Sequence, residues 1–177
     1  MTDNSKVRAI GSKHEIYDKN DPLAQDFLVC ISDLLENERV QRMKNYYQHM
    51  NTSRFQHCLS VSYYSYLIAR RIGADPRKAA RAGLLHDLFL YDWREKMTPR
   101  RHTFVHPKAA AANAKKVTEL SEQELDAILK HMWPLCSGRP VYRESVAVTV
   151  ADKYAASIEV MCQWGKAFKR RLRSARG

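Results

Sequence analysis

The chain carries start signals of α-helices along its whole length, and this feature constrains its fold more than any other. Asp21-Pro22 and Asp75-Pro76 each place a capping carboxylate before a proline at the first helical position. No alternation of apolar and polar residues flanked by Asn-Gly or Asp-Gly indicates a β-hairpin. The sequence therefore predicts an all-α fold, a bundle of about six to seven helices.

The apolar periodicity places the helices between recognisable boundaries. Predicted caps or first residues are Asp21, Asn37, Ser53, Asp75, Pro107, Ser121 and about Arg143. The second helix is predicted over 38–48, the third ends at Gly73, and the last extends to about Trp164. Residues 91–105, which contain Pro99 and several basic side chains, are predicted to form an irregular, functional loop before Pro107 begins an alanine-rich helix.

Length and charge divide the chain into a body and two ends. The 177 residues, of which 45% are hydrophobic, suffice for one globular core. We interpret 1–20 as an N-terminal extension, 21–165 as a single helical domain and 166–177 as a basic tail. Six basic residues and no acidic residue follow Gly165, so the body retains +5 of the net charge of +11. A body of this charge is compatible with a small anionic, phosphorylated substrate.

Other features bear on location. No uncharged stretch reaches the roughly 20 apolar residues that cross a bilayer, and the N-terminus has no apolar signal core, so we expect no membrane span and a cytoplasmic location.

Scattered cysteines without a Cys-x-x-Cys pair argue against a disulfide framework and a thiolate zinc site. We interpret the four cysteines as reduced residues that pack in the core: Cys30, Cys58, Cys136 and Cys162. The sequence does not indicate an oligomeric state.

Acidic residues within apolar segments point to a cation. His86-Asp87 stands inside GLLHDLFLYDW, and Asp152 lies beside a small apolar helix face. Burying such a carboxylate is costly unless it is paired or binds a cation. Imidazole and carboxylate groups bind Zn, Mn, Fe and related ions, and further histidines stand at predicted helix ends, at 57, 106 and 131. Any one of these residues alone is more often a hydrogen-bonded or ion-paired side chain, but together they favour a shared metal site.

The order of these residues resembles a known superfamily. His57, His86-Asp87, His106, His131 and Asp152, within residues 53–160, resemble the HD superfamily of metal-dependent phosphohydrolases, which are all-helical. Two additional histidines between the doublet and the final Asp are similar to its dinuclear branch, which includes HD-GYP phosphodiesterases and small bacterial symmetric diadenosine-tetraphosphate hydrolases. The Gly-Tyr-Pro motif and a Lys shortly after the doublet are absent, so the layout is closest to the compact nucleotide hydrolases.

The resemblance implies a ligand set and a reaction. One ion would be held by His57, His86, Asp87 and Asp152, and a second by Asp87 as a bridge with His106 and His131. The ions would be divalent or mixed-valent Fe, Mn, Zn, Co or Ni. Water activated at this site would cleave a phosphomonoester or phosphoanhydride, most plausibly of a nucleotide or dinucleoside polyphosphate.

Further residues are candidates for catalysis and substrate binding. Lys153 directly follows the last ligand and is expected to orient Asp87 or a phosphate. For the phosphate, Arg139 is the preferred partner, and Arg100 and Arg101 are further candidates. Each of these cations is also explained as a solvated surface charge.

Two other functions stay open at this point. The first is a non-catalytic helical module that binds nucleic acid or another anion through the tail and residues 94–102, with strong salt dependence. The second is a degenerate HD protein that keeps a metal for stability or sensing. The complete ligand set argues against a degenerate HD protein. A module that binds through its tail would leave the acidic residues beside apolar helix faces unexplained.

Overall fold

A computed structural model describes residues 7–48, 52–95, 97–135 and 138–174, apart from the side chains of 163 and 166–174. Within this part, seven α-helices follow one another: α1 Pro22–Leu35, α2 Glu38–Gln41, α3 Arg54–Ile72, α4 Pro76–Leu85, α5 Pro99–Ala114, α6 Glu122–Lys130 and α7 Arg143–Ser174. Short 3-10 turns lie at Arg42–Asn45 and Trp93–Glu95. The described residues contain only two isolated β-bridges, so the all-α prediction is confirmed.

The predicted caps explain where most helices begin. Each of four side chains accepts a hydrogen bond from a backbone N–H in the first turn that follows it: Asp21, Asn37, Ser53 and Asp75. Ser121 and Glu124 form a complete capping box at the start of α6. Gly73 ends α3 with φ of 66°, a left-handed conformation that favours glycine. Most helices therefore begin where the local capping residues predict.

The segment before the fifth helix differs from its prediction. The irregular loop predicted over 91–105 is wrong from Pro99 onward, because α5 begins there rather than at Pro107. The Thr98 hydroxyl accepts a hydrogen bond from Arg101 N at 3.4 Å, and Pro99 occupies the first helical position. Pro107 lies inside α5, where it removes one backbone donor without ending the helix. The irregular segment is therefore shorter than expected, and its functional role stays a prediction.

Two other helix lengths differ from prediction. The second helix, expected over 38–48, ends at Gln41 and passes into a 3-10 turn that ends at Asn45. At the other end of the chain, α7 continues to Ser174, ten residues beyond Trp164. The second helix ends without a glycine to mark its boundary, whereas α7 continues through Gly165, although a glycine often ends a helix.

Helix α3 lies at the centre of the bundle and packs against α4 and α7. A Cβ atom added to Gly83 of α4 would stand 2.8 Å from Ser62 Cα of α3, so the two backbones approach where only glycine fits. The Ser62 hydroxyl also donates to Ala80 O at 2.7 Å. This close approach fixes the end of α4 relative to α3.

The segment before α1 packs on the outside of α3. Ile10 N donates to Ser60 Oγ at 3.0 Å, and the Tyr64 hydroxyl donates to Ile10 O at 2.7 Å. Ala9 and Ile16 are buried. Among the described residues, no helix has the length and apolar character needed to cross a membrane.

The cysteines only partly fit the packing interpretation. Cys30 and Cys58 are buried, as expected of packing residues, whereas Cys162 is exposed on α7. Cys136 lies outside the described residues.

Candidate metal centre

Five helices bring the predicted ligands to one place. His57 lies in the first turn of α3, His86 and Asp87 directly after α4, His106 in α5, His131 directly after α6 and Asp152 in α7. All are almost fully buried except Asp152, whose side chain is 14% exposed. The structure thus unites residues that are almost 100 positions apart in sequence.

The first group of potential ligands gathers around Asp152. Its Oδ1 atom lies 3.2 Å from His57 Nε2 and 3.6 Å from His86 Nε2. These three side chains each offer one atom, all within 4.8 Å of one another, as a metal site requires. Asp87 Oδ2 lies 3.7 Å from His86 Nε2 and so adjoins the same group.

The second group gathers around the other oxygen of Asp87. Asp87 Oδ1 lies 3.3 Å from His106 Nε2 and 3.6 Å from His131 Nε2. These two nitrogen atoms lie 2.9 Å apart. His86, Asp87 and His131 also offer atoms within 4.8 Å of one another. One oxygen of the carboxylate therefore faces His106 and His131 and the other faces His86, an arrangement compatible with a bridging ligand.

Backbone carbonyls orient three of the four imidazoles. Nδ1 donates to Gly83 O at 2.8 Å in His86, to His102 O at 2.8 Å in His106 and to Ile128 O at 2.9 Å in His131. In the neutral imidazole each bond assigns the proton to Nδ1, and the Nε2 lone pair is then directed at the cluster. Local backbone hydrogen bonds thus fix the direction of these rings toward the cluster.

The donor set fits a divalent cation. His86 Nε2 and Asp87 Oδ1 are buried and have no hydrogen-bond partner in the described part of the chain. Buried polar atoms without a partner are costly, and lone pairs on His106 and His131 that face each other at 2.9 Å repel unless a proton or cation lies between them. A bound cation would satisfy all four groups.

Glu159 is a site residue that the sequence analysis missed. Its Oε1 atom accepts a hydrogen bond from His57 Nδ1 at 2.8 Å, and both side chains are fully buried. A carboxylate behind a histidine ligand fixes the ring and raises its basicity. Glu159 stands seven residues after Asp152, so that the two lie on one face of α7, and this spacing was the available signal.

Gln48 and Arg54 support Asp87 from the other side and were also missed. Gln48 Nε2 donates a short hydrogen bond to Asp87 Oδ2, and Arg54 Nε donates to Gln48 Oε1 at 3.1 Å. The Arg54 guanidinium is buried, donates to Phe89 O and lies 3.5 Å from the centroid of the Phe89 ring. The amide and the guanidinium therefore hold the carboxylate in one orientation.

The electrostatics of the cluster favour ionised carboxylates. Burial would raise the pKa of Asp152, but hydrogen bonds from His57 and His86 hold it well below its usual range. Burial would lower the pKa of His57, whereas Asp152 and Glu159 raise it to about 10. Burial and the neighbouring His86 lower the pKa of His131 to about 3. An ionised Asp152 and a neutral His131 have the protonation states in which these groups bind metals, whereas His57 would release a proton on binding one.

The residues predicted for catalysis and substrate binding lie in α7, in α5 and in the segment before α7. Lys153 Nζ donates to His131 O at 3.0 Å and forms no ion pair with Asp87 in the described residues. Arg100 and Arg101 are exposed in the first turn of α5. Arg139 lines a groove beside α7. Their roles toward a phosphate stay predictions.

Comparison with known families gives one clear match. The HD domain family matches residues 54–157, a span that makes up more than half of the chain and includes all six predicted ligands. No curated protein and no solved structure matches the chain. HD domains are all-helical and generally belong to metal-dependent phosphohydrolases, and the clusters of His and Asp are compatible with metal binding. The chain therefore belongs to the HD domain family.

Proposed function

We propose that the protein is a phosphohydrolase that depends on two metal ions and cleaves a phosphomonoester or phosphoanhydride of a nucleotide or dinucleoside polyphosphate. One observation carries this proposal: Asp87 Oδ1 lies near the Nε2 atoms of His106 and His131, whereas Oδ2 lies near Nε2 of His86, which also adjoins Asp152. A buried ion pair alone would not need this arrangement, because one proton could satisfy a single His-Asp contact.

Specific residues would hold each ion. The first ion would be bound by His57, His86, Asp87 and Asp152, and the second by Asp87, His106 and His131. Fe, Mn, Zn, Co and Ni all suit such imidazole and carboxylate ligands. When bound, such cations lower the pKa of water to near neutrality and offset the charge of phosphoryl oxygens.

The chain's own residues set the approach and keep the site rigid. Asp152 is the most exposed ligand, so the phosphoryl group reaches the cluster from the side of α7. Gln48 and Glu159 hold Asp87 and His57 in place, and this limits reorganisation during the reaction. Lys153 lies next to Asp152 with its ammonium group on His131 O, from where it adds positive charge beside the opening.

Replacing Asp87 tests the proposal. We expect wild-type protein to contain two metal equivalents and to release phosphate from a nucleotide panel. Asp87→Asn should lose at least one equivalent, and its turnover should fall by more than the roughly 10–100-fold seen for residues that only support ligands. Asp92→Asn, on an exposed turn, is the matched control. Unchanged metal content and turnover in Asp87→Asn would refute the proposal.

Removing the tail separates this function from anion binding alone. A phosphohydrolase should retain turnover after deletion of residues 166–177, because all proposed ligands lie before them. A module that binds nucleic acid through the tail would instead lose its salt-dependent affinity and show no turnover with or without the tail.

A further inference from the structure

A groove runs along α7 next to the proposed metal centre. It has a volume of about 380 Å³, and its lining includes Trp133, Arg139, Val146, Thr149 and Val150. Pockets for small molecules usually measure roughly 300–1,000 Å³. A larger groove of about 660 Å³ is lined by residues of α1, the first turn of α3 and the N-terminal segment, and it has no residue of α7. None of the potential metal ligands lines either groove.

One residue of the groove lies a single helical turn from Asp152 of the cluster. Thr149 precedes Asp152 by three residues, a rise of about 4.5 Å along α7, and both lie on the same side of the helix. Asp152 is the ligand most open to solvent. Trp133, which also lines the groove, follows His131 by two residues. Two lining residues thus stand close in sequence to cluster residues, and we expect a molecule whose phosphate reaches Asp152 to extend toward this groove.

The lining has a buried hydroxyl that lacks a partner. Thr149 is 5% exposed, and its Oγ1 atom has no hydrogen-bond partner in the described part of the chain. Threonine in a helix commonly donates to a carbonyl of the preceding turn, and a buried hydroxyl that makes no such bond is costly. A ligand that offers a polar edge at this point would remove the cost.

The remaining lining suits a flat apolar group joined to an anion. Trp133, Val146 and Val150 are each close to half exposed, although such side chains are usually covered. Arg139 adds a cation at the same groove. Indole faces stack on nucleobases, guanidinium groups bind phosphates, and a base edge supplies hydrogen-bonding atoms for a hydroxyl.

We infer that this groove binds the base of a nucleotide, with the base stacked on Trp133, its edge bonded to the Thr149 hydroxyl and a phosphate near Arg139. The inference rests on the proposed function, because the cleaved phosphate would lie at the metal centre. The inference goes beyond the proposed function because it states that the protein recognises its substrate by the nucleobase as well as by the phosphate.

Binding of adenosine tests the groove without hydrolysis. Adenosine and ribose would be titrated into wild-type, Trp133→Ala and Trp164→Ala protein with tryptophan fluorescence as the readout. Trp164 is exposed on α7 outside the groove and serves as the matched control. We expect saturable quenching by adenosine in wild-type and Trp164→Ala protein, no quenching in Trp133→Ala and no effect of ribose. Equal responses to adenosine and ribose would overturn the inference.

Kinetics provide an independent test of the same inference. Trp133→Ala should lower kcat/KM by roughly 5- to 150-fold for adenosine diphosphate, whose first phosphate would lie near Arg139 and whose second would be cleaved, which is the range expected for loss of base stacking. It should lower hydrolysis of inorganic pyrophosphate, which has no base, far less. Thr149→Val, a substitution of equal shape, should raise KM for the nucleotide alone. Equal loss on both substrates would overturn the base subsite while leaving the phosphohydrolase intact.

Two further outcomes separate the proposals. If wild-type protein releases phosphate from no substrate, the proposed function fails, whereas the adenosine titration still decides whether the groove binds a base. If light scattering shows a dimer that Val146→Glu converts to a monomer, the groove is an interface between two copies and the base subsite is refuted.

Discussion

Glu159 Oε1 lies 2.8 Å from His57 Nδ1, and solvent reaches neither side chain. The carboxylate thus orients the ring whose Nε2 atom faces Asp152. An isolated acid at this depth would be strongly unfavourable, so its presence is explained by the histidine that it supports. Glu159 also lies outside the region that matches the HD domain family.

Glu159→Gln should weaken metal binding by about 10- to 100-fold, because the amide removes the negative charge behind His57 but preserves the shape of the side chain. Competition with a chromophoric chelator measures the affinity, and circular dichroism checks the fold. Glu119→Gln, at an exposed position, is the control. Equal affinities in wild type and Glu159→Gln would contradict a supporting role for this carboxylate.

Gly83→Ala should destabilise the protein by roughly 1–3 kcal/mol, because the new methyl group would stand 2.8 Å from Ser62 Cα. Metal affinity should also fall, since Gly83 O accepts the hydrogen bond from Nδ1 that orients the His86 ring. Gly165→Ala, which would meet no atom within 4 Å, is the matched control and should leave both properties unchanged or slightly raise stability. Denaturant unfolding and metal titration check these outcomes, and a neutral Gly83→Ala would argue against the close helix approach.

Arg54→Lys should lower the free energy of unfolding by about 1–3 kcal/mol although it keeps the charge. A lysine cannot bond Gln48 and Phe89 O simultaneously in the geometry of the planar guanidinium, nor stack as well on the Phe89 ring. Urea unfolding measures the effect. Arg42→Lys on an exposed turn should change little, and equal stabilities of the two variants would show that the guanidinium network is dispensable.

The Asp126 carboxylate should make stability depend on pH. It accepts hydrogen bonds from Val141 N at 3.0 Å and Ser145 Oγ at 2.7 Å and pairs with Lys130. Burial would raise its pKa, but these contacts lower it below the ordinary 3.8. The native state therefore binds this proton less readily than the unfolded state, and the stabilisation present above pH 3.8 is lost as pH falls through the native pKa.

Asp126→Asn provides the measurement for this dependence. We expect it to cost roughly 1–2 kcal/mol near pH 7 and progressively less below about pH 4. Unfolding curves of both proteins recorded from pH 7 to pH 3 give the difference directly, so that titration of other groups cancels. A difference that stays constant over this range would rule out the carboxylate as its source.

Helix starts were predictable because their signals are local. Asp21, Ser53 and Asp75 act within their own first turn, and no distant contact is needed to place them. The start of α5 was predicted at the wrong proline, although its signal is also local: Thr98 caps the helix before Pro99, whereas Pro107 follows His106, which is not a preferred capping residue. The end of α7 was misplaced because the helix continues through Gly165.

The site was predictable in its ligand types but not in its supports. His86-Asp87 conflicts with its apolar surroundings, and this conflict is visible in the sequence. The contacts of Gln48 and Arg54 depend on where the chain before α3 lies in space, which periodicity does not encode. Lys153 likewise bonds to His131 O instead of Asp87, because the loop after α6 approaches α7 at that position.

The imidazole rings of His86, His106 and His131 each take their direction from a carbonyl three or four residues earlier on the same turn. Each of these rings is therefore aimed by its own turn of chain, and packing of the bundle brings together imidazoles whose direction is already set. Little further ordering of these side chains is then needed when the cluster forms.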